Sequence, residues 1–344
     1  MKKIILNQTE VFQGSKPYII AEACINHGGK IELAFKMIEE AKKAGSNCIK
    51  FQFHVLEDEM LRVAPKSDNF KDDLWTTLHD TNFTLAEHDK LKNYCEKLKI
   101  DYLCTPFSRA AVDLLDKLNV NFFKVGSGEL TNIPLQKYVA TKKKPTIIST
   151  GMSEIQEIHA TLNEVQKINK DIILTQCTSI YPCPYEFANL KVIEILNKKF
   201  NVPVGLSDHS SNCYTSYGAV AHGACVIEKH FTLDKNQVGP DHKSSLEPKE
   251  LKNLVDGCNA IFLANGKVKK IFDEEKQIIA WARESVVSIK DIKKGDTLSK
   301  ENLWVKRPAP LENVVPASDF EKILGKKAIR NILVNTQVKF DDFE

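Results

Sequence analysis

Residues 202–230 read VPVGLSDHSSNCYTSYGAVAHGACVIEKH. A short apolar run ends on Ser207 and His209, a stretch of helical length follows, and a second apolar run ends on Glu228 and His230. Strand, helix and strand in that order form the unit of a parallel sheet. The unit recurs towards the N-terminus: PYIIAEAC (17–24), NCIKFQF (47–53), DYLCTPF (101–107), FFKVGSGE (122–129), PTIISTG (145–151) and DIILTQCTS (171–179) bring the runs to eight. Amphipathic segments separate them. Eight such repeats predict an α/β fold, a closed (β/α)8 TIM barrel whose active site lies at the C-terminal mouth of its strands. Nearly every run ends on a residue able to do chemistry, so these residues should meet at one place. The chain reads as an enzyme.

At 344 residues the chain exceeds what one core uses, so a barrel with an appendage is expected. Residues 1–266 form the barrel, opened by a short strand–turn–strand (KKIILNQ, TEVFQG) placed to close its bottom. A lysine-rich linker follows over 267–282, and 283–344 read as a compact β-rich module with no long helix. The segment ELAFKMIEEAKKAG closes on Gly45, Thr84 and Glu87 have capping-box spacing, and Ser153 is placed to cap the helix after it. Residues 56–82 form a charged insertion on the catalytic face, where loops of that length are usually functional. The formal charge of +3, from 48 basic and 45 acidic residues, gives no electrostatic case for nucleic acid or a membrane surface. No apolar run approaches the ~18 residues that span a bilayer. Nine cysteines without a CxxC pair point to reduced thiols and a cytoplasmic location. Five of them (Cys24, Cys48, Cys104, Cys177 and Cys225) lie in strand runs and read as small packing hydrophobes.

His209 and His230 close neighbouring runs, within bridging reach of a divalent ion; packed rim histidines are the alternative. Lys50 and Lys124 sit inside apolar runs, where an ammonium needs an anion or a Schiff base. With Thr105, Ser127, Ser179 and Ser207 nearby, they suit a phosphate and a carboxylate better than a Schiff base; lysines reaching solvent are the plain alternative. Glu22, Glu129, Glu228 and Asp241 are acids for sugar hydroxyls or general-base work. Asn26 and His27 belong to the same rim, and His54 with Glu57, Asp58 and Glu59 is either a substrate contact or a solvated loop.

The blocks IAEACINHGG, IKFQFHVLEDEM, CTPFSRAA, FFKVGSGEL, ISTGM, QCTSIYPCPYE, GLSDHS, VIEKHFTLD, GPDHKSSLEP and LWVKRP resemble, in order, those of the bacterial sialic acid (N-acetylneuraminate) synthases. The C-terminal module resembles that family's antifreeze-like SAF domain. The resemblance implies condensation of phosphoenolpyruvate with open-chain N-acetylmannosamine, assisted by Mn²⁺ or Mg²⁺. It implies that Lys50, Thr105, Lys124, Ser127, Ser179 and Ser207 hold phosphoenolpyruvate and that His209 and His230 ligate the metal. Glu22, Gln52, Glu129, Tyr181 and Asp241 would face the sugar. Arg307 of the partner subunit would reach the N-acetyl group in a domain-swapped homodimer. A sister reaction on a 2,4-diacetamido-2,4,6-trideoxyhexose, giving legionaminic or pseudaminic acid, fits the same blocks. Cys24 stands where a smaller residue is usual in the family.

Overall fold

The computed structural model describes residues 2–63, 73–309 and 312–344, which divide into two units, Met1–Gly266 and Lys267–Glu344. In the first, eight strands lie parallel: β1 (Tyr18–Cys24), β2 (Cys48–Phe53), β3 (Asp101–Pro106), β4 (Phe123–Val125), β5 (Thr146–Ser149), β6 (Ile172–Cys177), β7 (Val204–Asp208) and β8 (Val226–His230). Their order is β3-β2-β1-β8-β7-β6-β5-β4. The outer strands β3 and β4 lie side by side, so the sheet is a nearly closed barrel wrapped in helices. Only Gln52 and Asp101 in these strands escape full burial, as expected of strands covered on both faces.

Side chains alternate between the two faces. Tyr18 and Ile20 of β1 share a buried cluster with Cys48, Leu103, Phe122, Ile147, Ile173 and Val226. Ile19, Ala21 and Ala23, one residue out of phase, pack with residues of the surrounding helices. Two residues beyond the apolar layer, the same inward phase brings Glu22, Lys50, Thr105, Lys124, Ser149, Thr175 and Glu228, all buried. The barrel therefore has an apolar floor and a polar upper layer. Below the floor, an antiparallel hairpin (Ile4–Leu6 with Thr9–Val11) adds Ile4, Leu6 and Val11 to the same cluster.

Helix Ile31–Ala44 ends on Gly45 at φ 90°, whose N–H reaches back to Ala41 and Lys42. Helix Leu85–Leu98 opens on the Thr84–Glu87 capping box. Ser153 does not cap the next helix: Glu154 occupies that position, its N–H donating to Glu157 at 2.7 Å, while Ser153 donates to the Gly151 carbonyl. The second unit holds a helix, Glu275–Ala282, within the stretch read as a linker, then antiparallel β9 (Ser285–Ser288) and β10 (Leu303–Lys306). Its core includes Val286, Leu298, Leu303, Val315, Ile323 and Val338. Among the described residues no helix is long and apolar enough to cross a membrane.

Candidate active site

The polar layer opens into a cavity of about 520 Å³ at the strand C-termini. Glu22, Lys50, Gln52, Thr105, Lys124, Ser127, Ser179, Tyr181, Ser207, Glu228, His209, His230 and Asp241 all line it. A larger cavity of about 780 Å³ lies at the other end of the barrel, between Asn7, Lys42, Lys92 and Asp101. Two of its lysines are already engaged: Lys42 donates to the Lys99 carbonyl at 2.6 Å and Lys92 pairs with Glu96 at 2.6 Å. Size therefore does not locate the chemistry. Buried charge does.

Register explains the charge cluster. Glu22 is paired along the sheet with Lys50 and with His230, and Ser207 with Glu228. Lys50 forms an ion pair with Glu22, lies 3.5 Å from Glu228 and donates to Thr105 at 3.2 Å. Lys124 lies 3.7 Å from the same Glu228 oxygen and donates to Ser149 at 2.6 Å. Burial would raise Glu228, but Lys124 and then Lys50 pull its carboxyl down to about 2. Burial would lower Lys50, yet Glu22 and Glu228 outweigh it and hold its ammonium above the ordinary lysine range. Burial raises Glu22 despite Lys50, and lowers Lys124 despite Glu228. The Glu228 Oε2 has no partner. Two ammonium groups, two carboxylates and several hydroxyls thus converge at one cavity, where a buried carboxylate oxygen still awaits a donor.

The histidines meet above this layer, with ring centroids 5.4 Å apart. His209 Nδ1 contacts the Thr178 carbonyl at 2.8 Å and so carries the proton, which leaves Nε2 as a free acceptor. Burial would lower His209, but the Cys177 thiol at 3.9 Å and the Thr178 carbonyl raise it, making the ring a stronger ligand. Burial lowers His230 to about 4, so its ring is neutral, and its Nδ1 is buried without a partner. Asp241 lies 4.0 Å from that nitrogen. This donor set fits a divalent ion.

Several expectations need correction. Glu129 does not line the cavity: the short 3-10 turn Ser127–Glu129 carries it past the wall, and its carboxylate accepts from Asn132 at 2.6 Å. Arg307 lies in the second unit, where the sequence reading placed it, and is exposed there. Asn26 is structural, its amide donating to the Phe231 carbonyl and Ser245, each at 2.9 Å. His27 is buried, stacked on Phe83 at 4.1 Å between centroids. Asp58 accepts from the Ala110 N–H at 2.8 Å, and Glu57 is exposed. His54 and Glu59 do line the cavity, joined at 2.9 Å through Nδ1. Cys24 and Cys177 line it too and are not mere packing.

Residues 64–72 of the insertion lie outside the described residues. Asn82 ties its far end to β2, exchanging two hydrogen bonds with the His54 backbone at 3.1 and 2.6 Å. Helix Leu74–Thr81 sets Leu78 against Cys24, Ile25 and Leu56, giving the cavity an apolar side wall that includes Met60 and Leu74. The sequence reading also missed Ser149 and Gly151. A Cβ at Gly151 would come within 2.4 Å of Ser179 Oγ and 2.7 Å of Ser127 Oγ, so only glycine leaves those hydroxyls room for a ligand.

Comparison with known proteins gives a consistent pattern. Residues 37–270 match the NeuB family and residues 283–344 match the SAF domain. The chain is 42% identical over 329 residues to the N,N'-diacetyllegionaminic acid synthase of Campylobacter jejuni, spanning 92% of this chain and 97% of that one. It is 36% identical over 337 residues to a pseudaminic acid synthase of the same species, spanning 96% and 97%. The crystal structure of an N-acetylneuraminic acid synthetase from Leptospira borgpetersenii superposes with a TM-score of 0.72 at 33% identity, covering 81% of this chain and 95% of that one.

Proposed function

The chain belongs to the NeuB family of nonulosonic acid synthases, and from that premise we propose that it condenses phosphoenolpyruvate with a 2,4-diacetamido-2,4,6-trideoxyhexose to give a legionaminic-type acid and phosphate. The observation that carries the donor assignment is the meeting of two buried ammonium groups, Lys50 and Lys124, with the hydroxyls of Thr105, Ser127, Ser179 and Ser207 in one cavity. A multiply anionic three-carbon donor satisfies both. Two findings favour this acceptor over N-acetylmannosamine: the 42% relative is named for diacetyllegionaminic acid, the type of product this acceptor would give, and the apolar wall of Ile25, Met60, Leu74 and Leu78 suits a C6 methyl better than a hydroxymethyl group.

In this reading Lys124, Ser127, Ser179 and Ser207 hold the phosphate and carboxylate, with Lys50 and Thr105 beside them. A divalent ion at His209 and His230, manganese or magnesium, would supply Lewis acidity at the aldehyde oxygen of the open-chain sugar. The methylene carbon of phosphoenolpyruvate attacks the aldehyde carbon, and the enol carbon becomes electron-deficient. Glu22, whose burial raises its proton affinity, takes a proton from the water that adds there. The tetrahedral intermediate then breaks its carbon–oxygen bond and releases phosphate. Lys50 and Lys124 offset the negative charge throughout. Gln52, Tyr181 and Asp241 orient the sugar, and Arg307 of the partner subunit contacts an acyl group in a domain-swapped homodimer.

The test is phosphate release from phosphoenolpyruvate against a panel of acetamido sugars. Turnover of the diacetamido trideoxy sugar well above N-acetylmannosamine is the expected result; the reverse order overturns the acceptor assignment, and no release with any sugar overturns the donor assignment. The homodimer has its own test. Co-expressing Arg307→Ala with Lys124→Met chains should restore activity that neither variant has alone. Inactive mixed dimers would mean that each SAF module serves its own barrel.

A further inference from the structure

Ten described non-glycine residues adopt a left-handed backbone, and nine of them, six being asparagines, are exposed. The tenth is Cys24, buried at φ 47° where β1 bulges against β2. A side chain in that region is disfavoured, and glycine is the residue that occupies it freely. A cysteine held there against the backbone preference has to be set against what its thiol reaches. Cys24 Sγ, a ring nitrogen of His230 and a carboxylate oxygen of Asp241 all lie within 4.8 Å of one another. The bulge fixes this position twice over. The Cys24 N–H donates to Glu22 at 2.6 Å, and Glu22 lies beside His230 in the register of β1 with β8.

A second, independent observation is that His230 Nδ1 is buried without any partner and faces Asp241 at 4.0 Å. Ligand atoms around one small cation sit roughly 3–4 Å apart when each is about 2.0–2.3 Å from the ion. Small side-chain rotations close the remaining gap.

We propose that Cys24 is a protein ligand of the metal centre, so that the ion is gripped by a thiolate as well as by imidazole, beside the Asp241 carboxylate. A thiolate is a soft donor that favours zinc, iron(II), cobalt or manganese over magnesium. The centre is thereby made selective by one side chain on β1.

The experiment is a cobalt titration of the full-length protein without substrates, so its outcome is independent of the donor and acceptor assignments. Wild type should develop the intense near-ultraviolet band of thiolate-to-cobalt charge transfer. Cys24→Gly, which suits the backbone, and Cys24→Ser should both lack that band and bind cobalt at least about tenfold more weakly. Cys177→Ser, which removes the other cavity thiol, should keep it. A wild-type complex without the band, or a band that survives in Cys24→Gly, overturns the assignment. Failure of the wild type to bind cobalt at all overturns it together with the metal centre.

Discussion

Two buried lysine–carboxylate groups take their carboxylates from the neighbouring strands β7 and β8 and face opposite ways. On the outer face of β7 and β8, Asp208 accepts from the Ser210 N–H at 2.8 Å and from Thr215 and Ser216 at 2.6 Å each, with Lys229 at 3.1 Å. Lys229 donates in addition to the Ser210 carbonyl. On the inner face one oxygen of Glu228 receives Ser207 at 3.1 Å and both ammonium groups, while the other receives nothing. A buried polar atom without a partner costs about 1–3 kcal/mol. The outer group is complete and fastens strand to helix. The inner one is incomplete: a carboxylate oxygen facing the cavity awaits a donor. Between these two groups, completeness more than charge or burial separates the architectural one from the one at the cavity.

The sharpest way to break this contrast is to remove one charged partner from each side. Lys124→Met should lower phosphate release on the order of a thousandfold, since it deletes a buried cation aimed at developing charge, while its melting temperature stays close to wild type. Asp208→Ala should do the opposite. It strands Lys229 in a fully buried position and should cost about 3–5 kcal/mol in urea unfolding, with near-normal turnover by the folded fraction. Asp208→Leu combined with Lys229→Met should recover most of that loss. A Lys124→Met variant that melts like Asp208→Ala would erase the distinction.

Histidines sharpen the contrast further. Burial holds His27 at about 4 and His88 at about 3, against 6.5 when unfolded. Between those values the unfolded chain binds more protons, so their contribution is complete above about pH 6.5 and is lost as the pH falls towards 4. Urea midpoints should therefore fall on acidification by the equivalent of about 2–3 kcal/mol per histidine, and His27→Phe, placed against Phe83, should flatten that limb. The smallest effect belongs to Gly151→Ala, whose added carbon crowds Ser127 and Ser179; about a tenfold rise in KM for phosphoenolpyruvate is expected, with stability nearly unchanged.

The fold was legible because barrel strands announce themselves as short apolar runs, and Lys50, Lys124 and Glu22 stand out as charges interrupting them. What escaped was whatever depends on direction. The text shows Asp208 and Lys229 beside Ser207 and Glu228, but nothing in it says that one couple faces helices and the other a ligand. Glu129 follows Ser127 by two residues and would share its face in a strand, yet a 3-10 turn intervenes. Ser149 and Gly151 are too small to stand out until their neighbours are in place. Cys24 looked like packing because its positive φ is a tertiary effect of the bulge, invisible in composition.

The hairpin beneath the barrel has a kinetic corollary. Among the described residues Ile4, Leu6 and Val11 cork the lower end, and the cavity lies at the strand C-termini. Whatever binds against Lys124 lies at the back of a dead-end corridor, and whatever binds beside Leu74 stands in front of it. Under the proposed function queueing follows: the three-carbon donor should arrive first, and inhibition patterns with dead-end analogues should show compulsory order instead of random loading.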